Sequence, residues 1–167
     1  MDEQAKKTAL RMIPYGLFVL TAQNEAGRIG TATVNWVTQA SFKPPLVVVC
    51  VKRDSNVHDI IEEQGAFALN VLGKRQAEIA YKFFRPAQVE SGMLSGEPYQ
   101  VGETGSPILT RSLAFLECEW VSGLYEGDHS VFLGRVVAAG VHEQPSGRPD
   151  ASTLLLQDLE GDIFYGG

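Results

Sequence analysis

Residues 36–51 read WVTQASFKPPLVVVCV, and this stretch decides how the chain folds. Its second half, residues 46–51, is an unbroken apolar run that predicts a buried β-strand. Its first half carries hydroxyl and amide side chains and ends in two prolines, unlike an ordinary two-residue hairpin turn. A polar loop that leads directly into a buried strand predicts a place where a polar ligand is held.

Patterns on either side of this stretch predict a mainly β protein. We predict strands at residues 16–22, 28–37, 45–51, 66–72, 113–122 and 130–142, and helices at residues 2–12, 56–64 and 75–84. The Ser55 hydroxyl would cap the second helix by accepting a backbone hydrogen bond. Six or more strands, paired mostly with near neighbours in the sequence, favour an antiparallel barrel with peripheral helices.

Three segments carry weaker signals. Residues 85–111 are rich in proline and glycine, so we interpret them as a long surface excursion. Residues 153–165 could add one or two short strands. In the strand at residues 113–122, apolar and acidic residues alternate, which predicts one core face and one more solvated face. The apolar set is Ala114, Leu116, Cys118 and Trp120, and the acidic set is Glu117 and Glu119.

Composition limits the class of protein. The chain has 167 residues, of which 44% are hydrophobic and 20% charged, as expected for one soluble domain spanning residues 1–167. It contains no apolar run long enough to span a membrane and no signal-peptide pattern, so we expect a cytoplasmic protein. The net charge is −6 without any basic cluster, which makes nucleic acid an improbable partner.

Cysteine and histidine positions argue against a disulfide or thiol redox pair and against a metal site. Cys50 and Cys118 lie in apolar strand patterns and no C-x-x-C occurs, so buried structural thiols are favoured over a disulfide. His58, His129 and His142 stand far apart, without the close local spacing of zinc ligands. We therefore predict no metal site.

Familiar catalytic and nucleotide-binding motifs are also missing. No G-x-S-x-G marks a nucleophilic serine. The glycines at residues 102–107 lack the lysine and helix of a P-loop. Those at residues 27–30 lack the third glycine and βαβ context of a Rossmann fingerprint.

The polar residues around the central strand carry the functional signal. Thr33, Asn35, Thr38 and Ser41 precede it, and residues 52–56, KRDSN, follow it. Such a strand can hold a heteroaromatic ring at one end and a phosphate at the other, where Lys52 or Arg53, the Ser55 hydroxyl and the next helix's N–H groups would meet it. An ordinary helix cap beside solvated cations explains the same residues, and both interpretations stay open.

Several segments together resemble one known family. They are ATVNWVTQASFKPPLVVVCVKRDSNVHDII, FALNVL and SLAFLECEW, followed by GDHSVFLGRV. They are similar, in the same order, to the flavin reductase-like family of FMN-binding split barrels, over roughly residues 10–142. WVTQASFKPP is particularly similar to the flavin reductase domains fused to cyanobacterial flavodiiron proteins. The resemblance implies a mainly β, antiparallel Greek-key split barrel with peripheral helices.

The resemblance also implies where FMN binds. Two segments would lie along the isoalloxazine ring and ribityl chain: Thr33, Val34 and Asn35, and then Thr38, Gln39, Ala40 and Ser41. A second group would lie near the phosphate: Lys52, Ser55, Asn56 and His58. Phe83, on a helix of matching aromatic and basic character, also aligns with the cofactor region.

His129 matches the histidine of a G-D-H turn that faces the flavin in this family, where nicotinamide stacks. A turn residue bonded only to Asp128 is the alternative. The chain's ending, residues 158–165, lacks the basic G-R-Y sequence of many relatives, so no cofactor contact is predicted there.

The function implied is hydride transfer from NADH or NADPH to flavin N5 in a homodimer, with no side chain acting as acid or base. A monooxygenase, ferric ion or flavodiiron-type protein would then accept the electrons. The first alternative is an FMN-holding electron carrier that is reduced by a protein donor. The second is a ligand-binding or haem-handling split barrel, because a fold alone does not determine function.

Overall fold

A seven-stranded antiparallel sheet forms the centre of the computed structural model, which describes residues 1–166. The strands are β1 (Phe18–Gln23), β2 (Ile29–Val34), β3 (Val37–Ser41), β4 (Leu46–Lys52), β5 (Ala66–Val71), β6 (Val89–Glu90), β7 (Met93–Leu94), β8 (Glu97–Val101), β9 (Pro107–Leu109), β10 (Ala114–Leu124) and β11 (His129–Val141). The helices are α1 (Glu3–Arg11), α2 (Asn56–Gln64) and α3 (Ala77–Lys82). The strand order of the main sheet is β2-β1-β5-β10-β11-β4-β3, and β6 to β9 form a smaller sheet.

The main core lies between this sheet and α2. Phe67 on β5, Phe132 on β11 and Ile61 on α2 are fully buried there. Gly30 lets α2 approach β2 closely, because a Cβ at residue 30 would lie 2.5 Å from the Val57 Cα. The start of α2 is thereby fixed against β2.

The prediction of a mainly β, antiparallel protein with few helices is confirmed. One predicted strand is wrong in its extent, since residues 28–37 divide into two strands. The chain leaves β2 after Val34 and re-enters the sheet at Val37, where β3 pairs with β4. Strand pairing extends further than expected, because residues 37–41 form an edge strand rather than a loop.

The interpretation of residues 85–111 as a surface excursion is also wrong. This segment forms β6 to β9 and buries Leu94 and Leu109 in a second core, and Ile108 is buried as well. The carboxylate of Glu97 is fully buried but is paired with Lys82 and with Arg111, whose guanidinium contacts both oxygens at 3.1 and 3.2 Å. Pairing a buried charge in this way offsets the cost of removing it from water.

Residues 153–165 form no strand. They contribute only the single bridges of Gly73 with Thr153 and Gly16 with Leu155, next to the 3₁₀ helices Pro149–Ser152 and Leu156–Asp158. The predicted helix over residues 75–84 is shorter, at Ala77–Lys82.

Glu117 does not lie on a solvated face. The register of β10 against β11 shifts between Glu117 and Cys118, and Glu117 is buried. Its carboxylate accepts hydrogen bonds from the Glu103 and Thr104 backbone N–H groups at 3.1 and 2.9 Å, and from the Thr104 hydroxyl at 2.8 Å. These donors explain why an acid is tolerated inside the strand.

Both cysteines are free. Cys118 is buried, and that burial raises the pKa of its thiol to about 12, with a smaller effect from Glu117. Cys50 is only half-buried, so the prediction of buried thiols is confirmed in full for Cys118 alone. As for membranes, none of the helices within residues 1–166 combines the length and apolar character needed to cross one.

Candidate functional site

A cavity of about 500 Å³ lies beside β2 and the beginning of α2. This volume is within the range of small-molecule sites in proteins. Three groups of residues enclose it. The strand wall comprises residues 31–35 and 52–56, the α3 edge comprises residues 83–86, and the tail wall comprises residues 163–165.

Hydrogen bonds on both sides of β2 hold its part of the strand wall in place. Val34 pairs with Phe18 of β1, and the Thr33 N–H donates to the Phe83 carbonyl at 2.9 Å. The Thr33 hydroxyl donates to the Ala80 carbonyl at 2.7 Å. These bonds tie the α3 edge to β2, so the two sides of the cavity keep a fixed separation.

The other half of the strand wall lies where β4 ends and α2 begins. The Lys52 ammonium lies 3.1 Å from the Asp54 carboxylate, and this hydrogen bond raises the pKa of Lys52. The Ser55 hydroxyl donates to the Lys52 carbonyl at 2.6 Å and does not cap α2, so the predicted cap is wrong. The first turn of α2 therefore lacks a side-chain acceptor and presents its positive end beside a lysine.

The tail wall meets His129 at the edge of the cavity. The Tyr165 hydroxyl lies 2.6 Å from Nε2 of His129, and Nδ1 of the same ring lies 2.8 Å from the Asp128 carboxylate. The hydrogen bond from His129 is the largest cause that lowers the pKa of Asp128, whereas burial raises the pKa of the Tyr165 phenol. An ionised carboxylate only accepts hydrogen bonds, which assigns the tautomer with the proton on Nδ1, and in that tautomer Nε2 accepts from the Tyr165 hydroxyl.

Trp36 completes this corner. Its ring centroid lies 4.7 Å from that of His129 and 5.5 Å from that of Tyr165. Its indole Nε1 is buried, and no atom of residues 1–166 accepts a hydrogen bond from it. The Tyr165 carbonyl, in contrast, accepts from the Asn35 amide at 3.2 Å.

The structure brings most of the predicted site residues together. Those that line the cavity are Thr33, Val34, Asn35, Lys52, Ser55, Asn56 and Phe83. His129 lines a small recess that adjoins it and shares Thr33, Asn35, Lys52 and Tyr165 with it.

Five predicted residues lie elsewhere. Thr38, Gln39, Ala40 and Ser41 lie along the edge strand β3, where Thr38 and Gln39 face a separate apolar groove with Leu116 and Val136. His58 is buried behind the strand wall, with Nε2 2.7 Å from the Ser130 hydroxyl and Nδ1 3.5 Å from Glu62. The contacts predicted between these residues and FMN stay predictions.

Sequence reasoning missed a second set of lining residues. They are Leu17, Thr31, Ala32, Asp54, Phe84, Arg85, Pro86, Leu156, Ile163, Phe164 and Tyr165. Thr31 and Ala32 could have been found, because they precede Thr33 on the same strand. The tail residues carry no local signal, since only folding brings residue 165 to residues 35 and 129.

The lining suits a phosphorylated aromatic ring compound. Thr31, Thr33 and Asn35 line the cavity, and Phe83, Phe84 and Phe164 supply apolar surface for a ring. The uncapped start of α2, with Lys52, offers an anion site at one end. Trp36 lies next to His129 rather than in the cavity lining, and its buried indole N–H has no acceptor within residues 1–166.

Comparison with known proteins agrees with this arrangement. Residues 10–159 match the family described as "Flavin reductase like domain". A "Probable flavin reductase" of Rhizobium meliloti is 31% identical over 82% of this chain and 43% of its own length. "Diflavin flavoprotein A 1" of Synechocystis is 34% identical over 81% of this chain and 24% of its own length. The chain thus spans less than half the length of either relative.

A solved structure shows the same fold. The NADH:FAD oxidoreductase SgcE6 of Streptomyces globisporus is 27% identical, with a TM-score of 0.74. The match covers 91% of this chain and 81% of that one.

Proposed function

The chain belongs to the flavin reductase-like family, and we propose that it is an NAD(P)H-dependent flavin reductase that binds FMN in the cavity between the strand wall and the tail wall. One observation carries this proposal: a single cavity combines an anion site, at the start of α2 beside Lys52, with an apolar surface formed by phenylalanine side chains. Bound flavin would supply the redox chemistry, by accepting a hydride from nicotinamide and passing the electrons on.

The protein's own residues would bind and orient the two ligands. Lys52 and the first N–H groups of α2 would hold the phosphate, because a helix N-terminus and a cation both favour an anion. The β2 residues and Phe83 would lie along the ring and its side chain. His129 would face the nicotinamide from the recess beside the ring.

Supply of electrons by a protein donor is the second candidate. The tail wall favours this candidate, because Tyr165 is bonded to His129 and would fill the position proposed for the nicotinamide. An FMN-holding carrier would need no space there.

Anaerobic mixing of the FMN-loaded protein with NADH or NADPH separates the two candidates. We expect the visible flavin absorbance to bleach within seconds, with saturation in the nicotinamide. Absence of bleaching by both nucleotides, while dithionite still reduces the flavin, would favour the carrier. FAD and riboflavin, tested alongside FMN, would report which flavin the cavity prefers.

The proposal extends to assembly and partners. We propose one FMN-binding split-barrel domain over residues 1–167, working in the cytoplasm as a homodimer. It would supply reduced flavin or electrons to a monooxygenase, ferric ion or flavodiiron-type acceptor. An apolar groove lined by Val37, Leu46, Leu116 and Val136 supports a dimer, since a second copy would cover it.

Sedimentation equilibrium tests the dimer. The chain has a mass of 18.2 kDa, so we expect twice that mass at micromolar concentration. A species of single-chain mass at that concentration would contradict the dimer and leave the bleaching result unaffected.

A further inference from the structure

The tail wall is bonded to the residue that the proposed function assigns to the second ligand. Nε2 of His129 accepts from the Tyr165 hydroxyl at 2.6 Å, and its Nδ1–H is already engaged by Asp128. Both nitrogens of the ring are therefore used within the chain. A ligand that approaches His129 through Nε2 must replace Tyr165.

Three further contacts hold the tail wall in this position. The Asn35 amide donates to the Tyr165 carbonyl at 3.2 Å, and the guanidinium carbon of Arg11 lies 4.2 Å from the centre of the Phe164 ring. The Arg11 Nε donates to the Gly166 carbonyl at 3.4 Å. All of these contacts come from outside the tail, which has no strand or helix of its own beyond Asp158.

The tail wall covers Trp36 but gives its indole N–H no hydrogen-bond acceptor. A Cβ at Gly166 would lie 3.6 and 3.7 Å from Cζ2 and Nε1 of the indole, so the tail backbone passes directly over that ring. The buried Nε1 still has no acceptor anywhere in the part of the chain that the structure describes. Leaving a buried donor unpaired costs stability, so this arrangement favours exchange of the tail for a ligand that carries an acceptor.

Trp36 and His129 are complementary to a primary amide. An amide carbonyl can accept from the indole N–H, and an amide NH₂ can donate to Nε2 of His129. The two rings are tilted by 54° to each other with centroids 4.7 Å apart, so both polar groups lie within the span of one amide-bearing ring. Tyr165 can supply the hydrogen bond to His129 but offers the indole nothing.

We propose that the tail wall is an autoinhibitory contact, in which Tyr165 occupies the subsite of an amide-bearing planar ring formed by Trp36 and His129. This inference rests on the proposed function, because it takes the ring to be the nicotinamide of the hydride donor. In the free protein the tail covers the subsite, and the donor binds only to the fraction of molecules in which Tyr165 has left His129. The apparent dissociation constant of the donor is therefore its intrinsic value divided by that fraction.

Replacement of Tyr165 by phenylalanine tests the contact, since it removes the hydroxyl and keeps the ring. In anaerobic stopped-flow mixing of the FMN-loaded protein with NADH, we expect the apparent dissociation constant of NADH to fall by about two- to tenfold. The limiting bleaching rate is fitted separately, so that any change in the hydride step is not mistaken for a change in NADH affinity. A constant that rises or stays the same would overturn the proposal, since Tyr165 would then aid the ligand or be indifferent to it.

Hydrogen exchange of the C-terminal peptide gives a second readout that needs no turnover. Tyr165→Phe should speed exchange in residues 163–166 without any ligand, and NAD⁺ should do the same in the FMN-loaded wild type. Tyr99→Phe is the matched control, because Tyr99 lies on β8 in the second core and should alter neither readout. If neither nucleotide bleaches the wild type, the proposed function fails, while the tail contact is still judged by this exchange. Unchanged exchange in Tyr165→Phe would overturn the contact itself.

Discussion

The strand wall and the tail wall enclose the same cavity, but different interactions hold them. The strand wall is backbone-paired, with β2 in continuous register against β1 from Val34 to Ile29. The tail wall has no such ladder, and besides the packing of Ile163 against the second core it is held by single contacts with Asn35, His129 and Arg11. Segments with few backbone bonds and exposed positions open at low free energy.

This difference separates two tasks. Under the proposed function, the strand wall would set the position of the ligand, because Val34 belongs to the main core and α2 packs closely on the same strand at Gly30. The tail wall would set access to it. Damage to the strand wall should therefore weaken ligand binding, whereas damage to the tail wall should change access.

The largest effect is expected from Gly30→Ala, which damages the base of the strand wall. The added Cβ would lie 2.5 Å from the Val57 Cα and 3.0 Å from its nitrogen, so the backbone of α2 must move. We expect the free energy of unfolding in urea to fall by about 2–3 kcal/mol, as for other overpacked cores. FMN affinity should fall as well, because the first turn of α2 is displaced.

Gly73→Ala is the control for that change. A Cβ at residue 73 would have no neighbour nearer than 3.6 Å, which is an ordinary contact. Equal losses of stability in the two variants would show that the approach of α2 to β2 is not tight.

A smaller effect is expected from His129→Ala, which lies where the two walls meet. Loss of one positioning contact should slow flavin reduction at saturating NAD(P)H by about five- to thirtyfold. FMN affinity should stay nearly unchanged, since His129 lies in the recess rather than in the main cavity. The measurement is anaerobic bleaching of the visible flavin absorbance.

His142→Ala controls for the loss of an imidazole. His142 lies away from the cavity, with Nδ1 2.9 Å from the Ser112 carbonyl, and its variant should reduce flavin at the wild-type rate. If His129→Ala matches the wild type too, the Asp128–His129 pair is only a structural turn.

The two walls also differ in what their sequence reveals. The strand wall follows from local pattern, because the apolar run of β4 is flanked by Thr33 and Asn35 before it and Lys52 after it. The tail wall could not be predicted, since the bond from Asn35 to Tyr165 spans 130 residues. Pattern failed in a second place as well: the strand expected over residues 28–37 breaks after Val34, and residues 38–41 lie at the opposite edge of the sheet.

Lys52→Ala tests the phosphate end of the strand wall. Lys52 is exposed and forms an ion pair with Asp54. Its contact with a phosphate would therefore be charge-assisted but partly screened by solvent and salt. We expect FMN affinity to fall by about tenfold, and riboflavin, which lacks the phosphate, to respond much less. Lys7→Ala on α1 is the control for loss of a surface cation. Equal losses for FMN and riboflavin would place Lys52 away from the phosphate.

The smallest effect, and one of opposite sign, is expected from Asp54→Asn. Asp54 lines the cavity and lies 3.1 Å from the Lys52 ammonium, so its charge both competes with a phosphate for Lys52 and repels the phosphate. Removing that charge should tighten FMN by about two- to threefold, as for other exposed charge pairs. Fluorescence titration of FMN, repeated at high salt, is the measurement, and the gain should shrink as screening increases. Weaker binding of FMN in Asp54→Asn would show instead that Asp54 holds Lys52 in place for the ligand.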